Sequence, residues 1–213
     1  MTTVDLTANE VGAKIILTDK LVRQSAENVF SMIGRQLGDG MARKKDTDVT
    51  ALYSGFSTDI GSAGRSMSLA NVSATVAYAK GKKFGPNVYI VQHPFAVWDV
   101  ANTAVTASTT YPVPVGWSAD LLGNFFSGLR PINGVPIFED GNITIDGSDD
   151  AVGVCADRSA LAVLKSVDMN KENDRDISLR ATEVVITADY GVFELDDSKG
   201  VALTLDAGTP ATS

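Results

Sequence analysis

The sequence has one cysteine, Cys155, and one histidine, His93, among its 213 residues. A lone cysteine excludes an internal disulfide and suits a reducing compartment. It leaves no CxxC pair, and no HExxH, GxSxG or GxGxxG occurs either. Aromatic residues are sparse at 7%. Cations are in deficit: 18 Lys plus Arg face 26 Asp plus Glu, a formal net charge of -8. Such a chain has no general electrostatic pull toward nucleic acid or anionic lipid, which leaves room only for a local basic patch. No apolar run approaches the roughly 18–20 residues that a membrane helix needs. The opening MTTVDLTANE lacks the basic-then-apolar order of a signal peptide. The chain therefore reads as soluble and intracellular, without a membrane partner, and the sequons at Asn71 and Asn142 would not meet the glycosylation machinery.

What is present is ordinary globular composition, 44% hydrophobic and 21% charged, enough for one domain or two joined subdomains. Residues 3–6 and 13–17 read as extended segments with no partner nearby in sequence. Thr18 or Asp19 can cap a short first turn. Val29, Ile33, Leu37 and Met41 then recur every four residues, with Val49, Leu52 and Phe56 continuing the stripe, which predicts a helix. One helix over 27–54 would span roughly 40 Å. Gly34, Gly38 and Gly40 lie inside it, which predicts a close neighbour or a bend. Ser66 or Ser68 opens a second helix that ends near Gly81, Asn87–Gln92 is a buried strand, and Pro94 starts the helix PFAVWDVAN. Residues 103–116 read as a loop, Ser118 as the cap of a further helix, 129–138 as a hairpin turning at Asn133-Gly134, and 151–156 as a buried strand. Asp157 is expected to cap a helix from Arg158 to about Lys165. Leu179–Leu195 is a strand of roughly 55 Å if unbent, with Val184, Ile186, Ala188, Tyr190 and Val192 on one face. A turn over Asp196–Gly200 leads to the closing strand Val201–Leu205, and Asp206–Ser213 reads as a frayed tail. A compact sphere of this chain length is about 35 Å across, so elements this long suit a tile better than an enzyme scaffold.

Each cluster that carries chemistry has a plainer reading beside it. Cys155 and His93 are the sole thiol–imidazole pair available to a nucleophilic mechanism; a small buried hydrophobe in a strand and a strand-ending His account for them better, because nothing in the sequence orients the imidazole. The acidic stretch Glu139–Asp150 offers oxygen ligands at alternating positions but matches no EF-hand spacing, and a solvated loop or an intersubunit charge surface accounts for it. Arg43-Lys44-Lys45 and Lys80, Lys82 and Lys83 suit sequence-blind contact with DNA or acidic neighbours, or a solvated helix face and a helix C-terminus. The glycine-rich run Gly61–Ser66 lacks the Gly-Lys-Ser/Thr of a phosphate loop. No catalytic, cofactor or metal residues are therefore assigned from the sequence.

Asp19–Ser57, DKLVRQSAENVFSMIGRQLGDGMARKKDTDVTALYSGFS, resembles the spine-helix region of tailed-phage major capsid proteins. Asp174–Val201 resembles the peripheral-domain sheet of that family through its SLRAT and YGV signatures. YIVQHPFAVWDV, GLRPINGVPIFEDGNI and AVGVCADRSALAVLK resemble, in order, the strand–HP–helix unit, the hairpin and the later strand and helix of its axial domain. The resemblance runs from about residue 10 to 205 and implies the α+β, Hong Kong 97-type fold. It implies a partial extended loop over 1–17, a peripheral domain over 18–65 with the spine helix and again over 166–205 with long strands, an axial domain over 66–165 and a flexible tail over 206–213. The family pattern carries an N-terminal arm and the first strand of the extended loop ahead of the position of Thr2. The present sequence enters at about the second strand, so no isopeptide weld through that loop is expected. The implied function is self-assembly: pentamers and hexamers of this chain in an icosahedral shell around double-stranded DNA, a virion component assembled in the host cytoplasm. Scaffolding, portal or decoration proteins are the implied partners, and DNA contact would be non-specific. An encapsulin-type nanocompartment shares the fold, and a small cytosolic α/β enzyme using Cys155 and His93 is the alternative of a different class.

Overall fold

The computed structural model of the chain describes residues 6–25, 28–105 and 134–210. They form two compact units, Met1–Val49 with Val163–Phe193, and Thr50–Ala162 with Glu194–Ser213.

The first unit is a helix on a three-stranded sheet. Strand β1 (Asn9–Thr18) ends at Thr18, whose Oγ1 accepts from the Leu21 amide and starts the short helix α1 (Asp19–Gln24). Helix α2 (Val29–Thr50) follows, and the chain tightens into a 3-10 turn at Ala51–Gly55. Strands β5 (Leu161–Asp176) and β6 (Ala181–Glu194) complete the sheet in the order β1-β6-β5. The segment expected to lack a nearby partner pairs antiparallel with β6, Asn9 opposite Tyr190 through Thr18 opposite Ala181. The four-residue stripe works as the periodicity predicts through Met41, but the α-helix stops at Thr50 rather than 54, and Leu52 and Phe56 lie in and just beyond the 3-10 turn instead of continuing it. Val29, Ile33, Leu37 and Met41 are buried with Leu17 against Val184, Ile186, Ala188 and Tyr190, and each such aliphatic chain contributes about 1.5–3 kcal/mol of burial.

The second unit is built on a four-stranded sheet, order β3-β2-β4-β7, from β2 (Val88–Gln92), β3 (Ile137–Glu139), β4 (Asp150–Asp157) and β7 (Gly200–Asp206). Helix α3 (Leu69–Gly81) starts on the Ser68 cap and buries Val72, Thr75, Val76 and Ala79. Helix α4 (Pro94–Val105) begins at the proline after β2. In β4 every residue but Val152 is buried, so both faces of the strand are covered. Gly153 is required there, because a Cβ would stand 2.5 Å from the Val91 carbonyl and from Oε1 of Gln92. Gln92 is itself fully buried and satisfied: its Nε2 donates to the Leu203 carbonyl at 3.1 Å and its Oε1 accepts the His93 amide at 2.9 Å.

Several expectations are corrected. The segment read as a helix over 158–165 is a tight turn entering β5. Asp157 accepts from the amide and hydroxyl of Ser159, but the helix-forming ALAVLK run pairs beside β6 instead. No neighbouring group lies within 4 Å of a Cβ built at Gly34, Gly38 or Gly40, so nothing in the chain packs closely there. Strand β3 runs parallel to β2, while Asn133 and the other half of the hairpin fall outside the described residues. So do the Ser118 helix and most of the 103–116 loop, although α4 runs on to Val105. The tail does not fray at Asp206: Ala207 is buried and donates its amide to the Asp149 carbonyl at 2.7 Å. Finally, residues 50–65 and β7 belong with the second unit, because β7 pairs along β4 and the 58–60 segment bonds to Ala202.

Candidate functional site

The one thiol and the one imidazole do not form a reactive pair. Cys155 sits in β4 between Ile90 of β2 and Val201 of β7, with no exposed surface. Burial alone acts on its thiol and pushes it up to about 12, so no thiolate forms near neutrality. His93 spends Nδ1 accepting the Phe95 amide at 3.2 Å, at the start of α4, with its ring edge-on to Phe95. Burial lowers its basicity, and Asp140 acts in the opposite sense. The imidazole is a local cap with its acceptor already used.

The acidic loop is likewise committed to its own backbone. Asp140 accepts the Asn142 amide, Asp146 accepts the amides of Ser148 and Asp150, and Asp150 accepts the Gly64 amide at 2.6 Å. Among the described residues no three His, Cys, Asp or Glu side chains come together as a metal site would need. The first basic cluster ties the first unit together. Lys44 bonds Asp48 at 2.6 Å, and Lys45 reaches Asp168 of β5 at 3.2 Å while lying over the Tyr190 ring. Tyr190 donates to Asp48 at 2.7 Å; burial and that carboxylate push its phenol up to about 12. Burial works against ionised Asp48, but the bonds from Lys44 and Tyr190 outweigh it and hold the carboxyl below its usual range. In the second cluster Lys82 lies over the Tyr78 ring, and Lys83 takes a left-handed φ of 57° just beyond α3.

What the structure offers instead is surface in the first unit. Strand β5 is exposed from Val163 through Arg175, on both faces and over thirteen consecutive residues. It is an edge strand, and isolated edges of this length are normally covered or blunted. Its charges, from Lys165 to Asp176, are the blunting device; Val163, Val167 and Met169 stay open at 47%, 46% and 55%.

Beside the β5–β6 turn lies a groove of about 680 Å³ lined by Arg23, Arg175 and Arg180, with Asp19, Phe30 and Ile177 among its other walls. Arg175 grips Asp19 in a two-point bond, 3.0 and 2.8 Å, which holds the Asp19 carboxyl below its usual range. Arg23 Nε donates to the Asp19 carbonyl at 3.2 Å. Arg180 has a φ of 47°, and its carbonyl accepts the Asp19 amide at 2.9 Å. Sequence reading missed this groove, since its Asp19 and Arg175 stand 156 positions apart. The only signal was that both ends fall inside the segments carrying the family resemblance.

No family model and no curated protein matches the sequence. Solved structures do. The capsid of Ralstonia phage GP4 matches with a TM-score of 0.73 and 12% identity over 98% of this chain and 76% of that one. A chain from Mycobacterium phage Che8 matches with a TM-score of 0.72 and 15% identity over 92% and 70%. The fold is the Hong Kong 97-type capsid fold. An encapsulin complex from Synechococcus elongatus is similar as well, with a TM-score of 0.65 and 9% identity over 97% of this chain and 77% of the other.

Proposed function

We propose that this chain is a major capsid protein that assembles into an icosahedral shell around double-stranded DNA. The observation that carries the reading is that more than nine-tenths of the chain superposes on the phage GP4 capsid and the Che8 chain. The exposed edge strand supports it, because a strand open on both faces gains its burial from a neighbour rather than from its own chain. In this reading the second unit is the axial domain around five-fold and quasi-six-fold axes, and the first is the peripheral domain. Affinity per contact is modest, since each copy makes several contacts at once. No catalysis is required, which agrees with a thiol and an imidazole that are both committed to the fold.

The test is negative-stain electron microscopy with size-exclusion chromatography of the purified chain. Closed shells are expected, and their diameter bounds the copy number. A 22 kDa monomer that persists at high concentration across acid, neutral and high-salt buffers overturns the reading. Encapsulin-type assembly is the second reading, favoured by the similarity to the Synechococcus complex. The contents of shells from the native source separate the two: nucleic acid for a virion, protein for a nanocompartment.

A further inference from the structure

We propose that the arginine-lined groove of the first unit is the docking site for the acidic residues Glu172 and Asp174 of β5 in a second copy of the chain. The inference rests on the shell reading and deepens it by naming the residues on both sides of one contact.

Three guanidinium groups converge on the groove, and Asp19 is the one carboxylate among its lining residues. That leaves local positive charge in a chain whose net charge is -8. Arg175 is spent on Asp19 through both of its terminal nitrogens. Arg23 uses Nε on the Asp19 carbonyl, and among the described residues neither Arg23 nor Arg180 forms an ion pair with a carboxylate, although both act on Asp19 at longer range. The turn that presents Arg180 is built rather than loose. Asp176 accepts the amides of Ser178 and Leu179 and the Ser178 hydroxyl, and the Arg180 carbonyl is fixed to the start of α1. A preorganised cation site loses less entropy when it captures its partner. The rim is apolar and open, with Ile177 82% and Phe30 40% exposed. The ligand is therefore an acidic protein segment that also covers apolar surface, more than a bare anion.

The complementary element is on the same molecule. Glu172 and Asp174 are exposed, two residues apart on one strand, and so point to the same side. Glu172 accepts only from the Asn170 amide group, and Asp174 only from the backbone of Arg175. Among the described residues neither has a cationic partner, whereas Asp168 on the same strand is paired with Lys45. Glu172 and Asp174 lie on the same end of β5 as the groove's Arg175, so two copies that meet along that end can each offer the acidic pair to the other's groove.

Charge reversal tests this directly, with assembly followed by light scattering and circular dichroism confirming that each variant folds. Arg23→Glu with Arg180→Glu is expected to weaken assembly by about tenfold or more, and Glu172→Arg with Asp174→Arg by a similar factor. The chain carrying all four changes is expected to recover assembly. Wild-type assembly should weaken as NaCl rises from 50 to 500 mM, and the two reversal pairs should be less salt-sensitive. If the groove pair weakens assembly and the edge pair does not, another segment fills the groove and the inference is overturned. It is also overturned if both pairs assemble like wild type, in which case the shell reading stands. Shells that form normally but hold less DNA in the groove pair would make the groove a phosphate site, again against the inference. A wild-type chain that never self-associates overturns the inference and the shell reading together.

Discussion

The two units use the same kinds of residue to opposite ends. In the second, the central strand β4 is covered on both faces, Ile90, Val154, Cys155 and Val201 have no exposed surface, and the polar Gln92 is satisfied inside. In the first, the helix α2 covers one face of the sheet, and the edge strand β5 leaves thirteen residues in solvent. Burial holds the second unit. The first adds to a smaller core a belt of charge, in Lys44–Asp48, Lys45–Asp168, Lys14–Glu183 and Arg175–Asp19. The second unit is a block finished in itself, and the first leaves a surface open.

Truncating the core should separate the units most. Ile90→Ala removes a side chain with no exposure at the centre of the four-stranded sheet and is expected to cost about 4–5 kcal/mol; Ile33→Ala, 7% exposed under α2, about 2–3 kcal/mol. Both tryptophans, Trp98 and Trp117, fall in the second unit's stretch of sequence. Urea titrations followed by tryptophan fluorescence and by far-ultraviolet circular dichroism therefore tell the units apart. Equal losses in the two variants would erase the comparison.

Alkali should come next. The Cys155 thiol is held up at about 12 against 9.0 for a free thiol, so the unfolded chain ionises first. The stability this represents is intact below pH 9 and is lost as pH rises toward 12, about 4 kcal/mol over that span. Tyr89, raised by burial first and by Asp157 and Cys155 after it, adds loss in the same direction. In the first unit Tyr190 rises from 10.0 to about 12, so its contribution begins to fade only above pH 10. The fluorescence transition should weaken from pH 9, a unit before the other, and Cys155→Ala should flatten that early fall although it starts less stable. An unchanged slope in Cys155→Ala would show that the thiol is not what titrates.

How much of this was legible follows from which interactions are local. The α2 stripe from Val29 to Met41, the Ser68 cap, the Pro94 start and the β4 strand are short-range patterns, and the structure bears each out. The start of β5 was not legible, because ALAVLK favours a helix on propensity, and since NKENDRD carries little strand signal only the resemblance implied long strands beyond 166. Pairing beside β6 decides the matter, and no local pattern encodes that neighbour. The groove was hidden for the same reason, its walls coming from both ends of the sequence. By contrast, the weakness of Cys155 and His93 as a nucleophile pair was readable, since nothing in the sequence supplied a group to orient the imidazole.

Helix caps give the smallest test and separate local from global stability. Ser68 caps α3, a helix with four buried residues, and its Oγ accepts the Asn71 amide at 3.3 Å. Thr18 caps α1, a six-residue helix with no buried residue, and its Oγ1 accepts the Leu21 amide at 3.4 Å. Either substitution by Ala removes about 1 kcal/mol of cap energy. In α3 that loss is coupled to the core, so Ser68→Ala should lower the stability of the second unit by about the same amount. In α1 little of it is passed on, since so short a helix buries no residue fully and is held by its cap, its tether to Arg180, the Arg175–Asp19 pair and the half-buried Val22. Thr18→Ala should therefore speed amide exchange at Leu21 and leave the urea midpoint of either unit unchanged. If the midpoint of the first unit falls instead, α1 is integral to that fold, and the groove it lines is more rigid than its exposed residues suggest.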